Sequence, residues 1–442
     1  MNLTPKQIVK YLDDYVIGQN EAKKTIALAL RNRYRRMALD KELQEDIIPK
    51  NILMIGSTGV GKTEIARRLT KMMNLPFVKV EASKYTEVGF VGRDVESMIR
   101  DLVYESIKLV TREYEDRIKD KIEDKINKEI LKILIPNLSK SASEDSKKAF
   151  IKTYNKMEEK LLNGELDDKK IEIDVPKNAK VEILDTNIPL DMNVMQENIS
   201  NMINSIKKES IKKEVTIKNA RKILKNKISN NLLDQETIKE KALQKAQDGG
   251  IIFLDEIDKI ATSKNNNNQD PSKEGVQRDL LPIVEGSFVN TKYGQVKTDH
   301  ILFIAAGAFH VSKPSDLLPE LQGRFPLRVE LSSLDEKALY DILTNTKNSL
   351  LKQYIALLSV EGVTLEFEDE AIRSFATLAQ NANEKTEDIG ARRLHTVIEK
   401  VLEDISFSAD EKKGQTIKIT KKLVYDKLKD IIENEDITRY IL

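Results

Sequence analysis

No cysteine occurs in the 442 residues, which excludes disulfides and every metal site built on thiolates. Histidine is nearly as scarce, and His300, His310 and His395 stand too far apart in the chain to suggest a zinc-binding set. An excess of one charge is missing too: 73 Lys and Arg stand against 72 Asp and Glu, a net charge of +1, so composition gives no argument for nucleic-acid binding. No apolar run approaches the roughly 18 residues of a membrane span. Met1–Ile8 lacks the basic-then-apolar order of a secretory signal. The expected setting is the cytoplasm, with no membrane partner. Glycine is scarce in one long stretch: between Gly92 and Gly249 only Gly164 occurs.

What is present is 40% hydrophobic and 33% charged, enough apolar material for two or three domains and enough charge for long solvated helices. Thr4 and Gln7 have capping-box spacing with Pro5 at the first helical position, and Ile8, Val9 and Leu12 form the apolar face of that helix. Ile17-Gly18-Gln19 breaks the pattern and Glu21–Leu39 resumes it. Asn51–Ile55 and Phe77–Glu81 are strand-like, with helix over Glu64–Met73 between them. The glycine-poor stretch, crowded with Lys, Glu, Asp and Ile, is expected to be a mostly helical insertion over 105–245, with a strand at Ile171–Val175; the competing reading is a disordered charged linker. Ile251–Leu254 and Ile301–Ala305 are apolar runs of the kind found in a parallel sheet covered on both faces. Asn265–Asn268 between them is a polar loop tip. Beyond Leu331 the pattern is helical again, with alternating runs at Val363–Phe367 and Thr416–Ile419. The expected domains are therefore 1–104 and 246–330, two parts of one α/β domain, then the insertion 105–245 and a mainly helical C-terminal domain 331–442.

Gly56-Ser-Thr-Gly-Val-Gly61-Lys62-Thr63 fits the phosphate-binding pattern G-x-x-x-x-G-K-[ST]. Its glycines allow a tight turn that aims backbone N–H groups at phosphate oxygens. Lys62 reaches the β- and γ-phosphates and the Thr63 hydroxyl is a ligand for Mg²⁺. Gly59, Val60, Gly61, Lys62, Thr63 and Glu64 are the expected nucleotide contacts. Ile251-Ile-Phe-Leu-Asp255-Glu256 is the matching strand with carboxylates at its end: Asp255 to hold Mg²⁺, Glu256 to polarise the attacking water. ATP and Mg²⁺ are thus the expected cofactors, and hydrolysis the expected reaction. Transfer of the γ-phosphoryl group also calls for a cation. Arg324, in Pro319-Glu-Leu-Gln-Gly-Arg-Phe-Pro326, and Arg392, in Gly390-Ala-Arg-Arg-Leu394, are candidates, though spacing alone favours an ordinary surface ion-pair residue at each. Gly89-Phe90-Val91-Gly92 reads either as a loop with a hydrophobic tip or as an aromatic tucked into a core.

Three segments carry a resemblance: Asn51–Leu69 around the phosphate loop, Val276-Gln-Arg-Asp-Leu-Leu-Pro-Ile-Val-Glu-Gly286, and Gly390-Ala-Arg-Arg-Leu-His-Thr-Val397. With the terminal Asn434-Glu-Asp-Ile-Thr-Arg-Tyr-Ile-Leu442 they resemble the HslU (ClpY) family of AAA+ ATPases, which serve the HslUV (ClpYQ) protease. The likeness spans nearly the whole chain and is weakest in the insertion, whose position and length match that family's intermediate domain. The related ClpX family would bring a four-cysteine zinc module, which a chain without cysteine lacks. The resemblance implies a P-loop AAA+ parallel-sheet domain with a helical insertion and a helical C-terminal subdomain, in a hexameric homo-oligomeric ring. It makes Arg324 an arginine finger reaching a neighbour's nucleotide, with Glu320 near that nucleotide, and Arg392 the sensor-2 arginine. Ile17 and Gly18 would border the adenine. Gly89, Phe90, Val91 and Gly92 would form the pore loop that grips unfolded or tagged protein substrates. Tyr440, Ile441 and Leu442 would dock into the HslV (ClpQ) peptidase. Peptide-bond cleavage would belong to that partner, and no nucleic acid is expected. Two departures stand out: Phe90 replaces the family's usual tyrosine, and Ala306 stands where a polar sensor-1 side chain is expected, leaving sensing to a neighbour such as His310. Two other readings are a nucleic-acid motor, against which the balanced charge speaks, and a non-catalytic ATP-binding scaffold, against which Glu256 and Arg324 speak.

Overall fold

A computed structural model of the chain describes residues 3–47, 49–85, 93–135, 144–176, 210–232, 234–262 and 271–433. The segments Gly89–Gly92, Asn265–Asn268 and Tyr440–Leu442 lie outside the described residues. The strands, in chain order, are β1 (Ile52–Ile55), β2 (Phe77–Glu81), β3 (Lys170–Pro176), β4 (Ser210–Thr216), β5 (Ile251–Asp255), β6 (Phe288–Thr291), β7 (Gly294–Lys297), β8 (Leu302–Gly307), β9 (Leu327–Glu330), β10 (Thr364–Phe367) and β11 (Thr416–Ile419). The chain divides into two compact units, residues 1–109 with 239–442, and residues 110–238. Both junctions fall inside helices, Ser97–Arg117 and Gln235–Gly249.

The larger unit is built on a sheet of order β2-β5-β8-β1-β9. Every pairing in it is parallel. The uninterrupted apolar runs of its strands follow from burial on both faces. Leu53, Ile252, Leu254, Phe303 and Ala305 enter one core with the helix Ser97–Arg117. Their neighbours Ile52, Met54, Ile251, Phe253, Leu302, Ile304 and Ala306 enter the other, with the first two helices and the helix Lys62–Met73. Each fully buried Ile, Leu or Phe contributes about 1.5–3 kcal/mol, so one misplaced polar residue on either face is costly.

The chain start is a helix, Pro5–Asp13, closed by the expected capping box: Thr4 Oγ1 accepts from the Gln7 amide and the Thr4 amide donates to Gln7 Oε1 at 2.8 Å. The second helix, Asn20–Met37, is tied beneath the sheet by the buried Arg33, which donates to the carbonyls of Gly250 (2.8 Å) and His300 (2.5 Å). The C-terminal part of the unit packs the helices Glu336–Thr344, Leu350–Ser359, Asp369–Lys385, Arg392–Phe407 and Lys421–Glu433 with a parallel pair, β10 and β11, about its own core. A hairpin of β6 and β7, which the sequence pattern does not announce, precedes β8.

The smaller unit packs the helices Lys119–Leu134 and Ile217–Leu232 with an antiparallel β3–β4 pair, around Ile122, Ile126, Ile130, Leu161, Ile171, Ile173 and Leu224. Ile122, Ile126 and Ile130 recur at helical spacing and Ile171 and Ile173 at strand spacing, and their burial rules out the disordered-linker reading for the described part of the stretch. No helix among the described residues is long and apolar enough to cross a membrane.

Candidate functional site

The phosphate loop leaves the C-terminal end of β1 and opens the helix Lys62–Met73, so the first amides of that helix and its positive dipole end face the loop. In an open parallel sheet the ligand crevice lies beyond the carboxyl ends of the strands. A cleft of about 740 Å³ occupies that place, lined by Thr58, Gly59, Gly61, Lys62, Thr63, Glu64, Asp255, Glu256 and Arg392 among others. A second cleft of about 750 Å³, on the other side of the loop, is lined by Tyr15, Val16, Ile17, Val60, Arg68, Arg392 and His395. Gly59, Gly61, Glu64 and Arg392 line both.

Within the first cleft, side chains distant in sequence meet. The Thr63 hydroxyl donates to Asp255 Oδ2 at 3.3 Å. Asp255 also pairs with Lys79 on the adjacent β2, at 2.7 Å. Lys62 donates to the carbonyls of Gly56 and Ser57. Burial pulls the Lys62 ammonium below its ordinary pKa, and the nearby carboxylates of Asp255 and Asp258 oppose that shift. Glu256 is exposed and follows β5 in the left-handed backbone region, φ 57°, a strained conformation for a residue with a Cβ and one that clusters at active sites. Its carboxylate accepts from the Ser83 hydroxyl at 3.2 Å.

The C-terminal helices are fastened to the phosphate loop by backbone. Ala391 N–H donates to Gly59 O at 3.2 Å. A Cβ on Gly390 would lie 2.8 Å from Gly59 C and Thr58 O, and one on Gly59 would lie 2.0 Å from Ile389 O. Two glycines therefore allow the contact. Arg393, 3% exposed, braces the same turn. It donates to Asn383 Oδ1 (3.1 Å), Thr386 Oγ1 (2.7 Å) and Glu387 O (2.7 Å). Arg392, next to it, is exposed and lines the cleft. Sequence reasoning chose Arg392 and passed over Arg393; the only available signal was the doubled arginine.

Ile17 lines the second cleft, while Gly18 stands beside it in the left-handed region, φ 65°. Gln19 fixes that turn by exchanging two hydrogen bonds with the backbone of Ser332, at 2.8 and 3.0 Å. Ala306 is fully buried against Met54 in the sheet, and His310 lines the cleft from the following loop. Arg324 and Glu320 line neither cleft. Asn51 donates to the Arg324 carbonyl at 3.1 Å and accepts from Phe303 N–H at 3.0 Å. Arg324 is thus pinned level with Asn51, five positions before Gly56, or about 16 Å at the ~3.3 Å rise of a strand. Its guanidinium pairs instead with Glu285 at 2.8 Å.

A phosphate loop on one parallel strand and a paired carboxylate strand two places away define a P-loop ATPase of the AAA class. Residues 52–175 match the family described as ATPase family associated with various cellular activities (AAA), and residues 168–328 match the AAA domain (Cdc48 subfamily). The ATP-dependent protease ATPase subunit HslU of Campylobacter jejuni subsp. jejuni serotype O:2 is 62% identical over 445 residues, covering 100% of both chains. The protein of the same name from Helicobacter pylori is 60% identical over 443 residues, covering 100% of this chain and 99% of the relative. The chain belongs to the HslU family, and it is an ATP-binding, ATP-hydrolysing subunit of the kind that family supplies to ATP-dependent proteases.

Proposed function

We propose that this chain uses ATP hydrolysis to unfold protein substrates and thread them into an HslV (ClpQ) peptidase, working as a cytoplasmic hexameric ring that itself cleaves no peptide bond. The meeting of Thr63 and Asp255 beside Glu256 at the mouth of the cleft carries the catalytic part of this reading. A hydroxyl and a carboxylate 3.3 Å apart are hard oxygen donors of the kind Mg²⁺ takes, so Thr63 and Asp255 would hold that ion. When bound, it would neutralise phosphate charge. The chain's own groups do the rest. Lys62 and the loop amides bind the β- and γ-phosphates. Glu256 orients and polarises the attacking water. Arg392 carries the phosphate's presence to the C-terminal helices, which rest on Gly59 through Ala391.

Arg324 serves the neighbouring subunit's nucleotide, together with Glu320. Its distance from its own phosphate loop supports action across a boundary rather than within the chain. Phe90, between Gly89 and the Val91-Gly92 pair, grips substrate by aromatic bulk, and the tail Tyr440, Ile441 and Leu442 docks on the peptidase. The division into 1–104 with 246–330, 105–245 and 331–442 places hydrolysis and the phosphate response in separate parts. The test is ATP turnover and peptidase activity with and without added HslV, for the intact chain and for one cut after Asp436. Mutual stimulation that the truncated chain loses is the expected result. Turnover indifferent to HslV would overturn the partner assignment and leave the ATPase standing.

A further inference from the structure

In each chain Glu256 serves its own nucleotide and Arg324 a neighbour's, so the two must be held in a fixed relation through the protein between them. The helix Pro271–Glu285 makes that connection. Gln277, near its middle, is 0% exposed. Its amide nitrogen donates to Ile260 O at 2.7 Å, and Ile260 closes the short turn Ile257–Lys259 that follows Glu256. Its amide oxygen accepts from Leu318 N–H at 2.8 Å, and Leu318 caps the helix Pro319–Gly323, which ends at Arg324. At the end of the same helix, Glu285 Oε1 accepts from Arg324 Nε at 2.9 Å. One rigid element thus holds the carboxylate turn, the start of the arginine segment and the guanidinium.

Packing alone does not call for glutamine here. The surrounding core is Val276, Leu280, Ile260, Leu317 and Leu321, where Leu or Met would fill the volume. A buried amide is costly unless both its ends are paired, and here the two ends are paired to two different functional segments.

We infer that Gln277 is a positioning residue: its side-chain amide sets Arg324 relative to the Glu256 turn, so that each subunit presents its arginine to the neighbour in step with the state of its own site. The inference rests on Arg324 acting across the subunit boundary. Gln277 lines neither cleft, so it acts on its own subunit's nucleotide through no direct contact.

The experiment compares Gln277→Met, which keeps length and loses both hydrogen bonds, with the wild type. Steady-state ATPase should lose between about tenfold and a hundredfold in kcat, the scale of a misplacement near 1 Å. KM and the affinity for a fluorescent ADP analogue should stay within about twofold. Mixed rings distinguish positioning from general damage. A Gln277→Met subunit keeps Glu256, which β5 and the Ser83 hydroxyl still hold, and lacks a placed arginine; a Glu256→Gln subunit has the reverse. Mixing the two should raise turnover per Gln277→Met subunit severalfold above that of Gln277→Met alone. Arg324→Ala mixed with Glu256→Gln is the reference for the underlying reading. Recovery in that reference without recovery for Gln277→Met overturns the inference and leaves the arginine assignment intact. An Arg324→Ala chain that hydrolyses ATP normally, or a reference mixture that does not recover, overturns both. Should Gln277→Met fail to fold, Glu285→Gln at the exposed end of the helix takes its place. The expectation is then a severalfold lower kcat, recovered by Glu256→Gln subunits; a rise in kcat would mean that Glu285 restrains Arg324 and would overturn the inference.

Discussion

Replacing Gly390 by alanine tests whether the C-terminal helices and the phosphate loop act as one piece. Gly390 has φ 57°, where an L side chain costs about 1–2 kcal/mol. The added Cβ would stand 2.8 Å from Thr58 O and from Gly59 C, both backbone atoms that cannot rotate aside. Relief requires the loop and the turn to separate, which breaks the hydrogen bond from Ala391 N–H to Gly59 O at 3.2 Å, worth about 1 kcal/mol. The total is about 2–3 kcal/mol, and it falls on the loop proposed to bind the phosphates. At 1.4 kcal/mol per tenfold this corresponds to a loss of roughly thirty- to a hundredfold in nucleotide affinity. The assay is a titration with a fluorescent ADP analogue, beside thermal unfolding without nucleotide. Gly59→Ala, whose Cβ would meet Ile389 O at 2.0 Å from the opposite side, should behave alike. Affinity unchanged in a folded Gly390→Ala chain would refute the argument, because it would mean the loop holds its shape without that contact.

Other expectations follow from the same geometry. Glu256→Gln should lower kcat by at least about a hundredfold, the scale of a lost general base, while ADP still binds; single-turnover kinetics and the ADP titration separate the two effects. Arg393→Met leaves Asn383, Thr386 and the Glu387 carbonyl without their buried donor. It should cost about 3 kcal/mol, as for other broken buried charge networks, and be seen as a lower urea midpoint together with weaker nucleotide binding. Burial, with Arg36 as a like charge nearby, holds the His300 imidazole below its ordinary pKa of about 6.5. The folded state therefore binds this proton less readily than the unfolded chain. The associated stability is present above about pH 6.5 and is lost as pH falls through the lowered value. Urea midpoints at pH 7.5 and 5.5 should draw apart more for the wild type than for His300→Gln, and equal separations would remove His300 from the account.

The parts legible in the sequence are those whose physics is local. The phosphate loop is eight consecutive residues between an apolar strand and a helix, and its job of turning tightly and aiming amides needs nothing from afar. The same holds for the capping box at Thr4, for the carboxylates that end β5, and for the apolar runs whose lack of alternation declares a sheet buried on both faces. Strand pairing lies beyond such reasoning. Only the folded chain puts β8 between β1 and β5, brings Thr63 within 3.3 Å of Asp255, and sets Arg324 level with Asn51 at the far end of the sheet from the phosphate loop. Lys79, Ser83, Gln277 and Arg393 went unnoticed for the same reason. Each is an ordinary polar residue by type, and its importance comes from a partner that is adjacent in space and distant along the chain, or buried under a turn whose shape no spacing rule encodes. Local chemistry determined which residues could bind and split ATP; tertiary packing decided which groups hold them there, because hydrogen bonds across a core depend on where whole strands and helices come to rest.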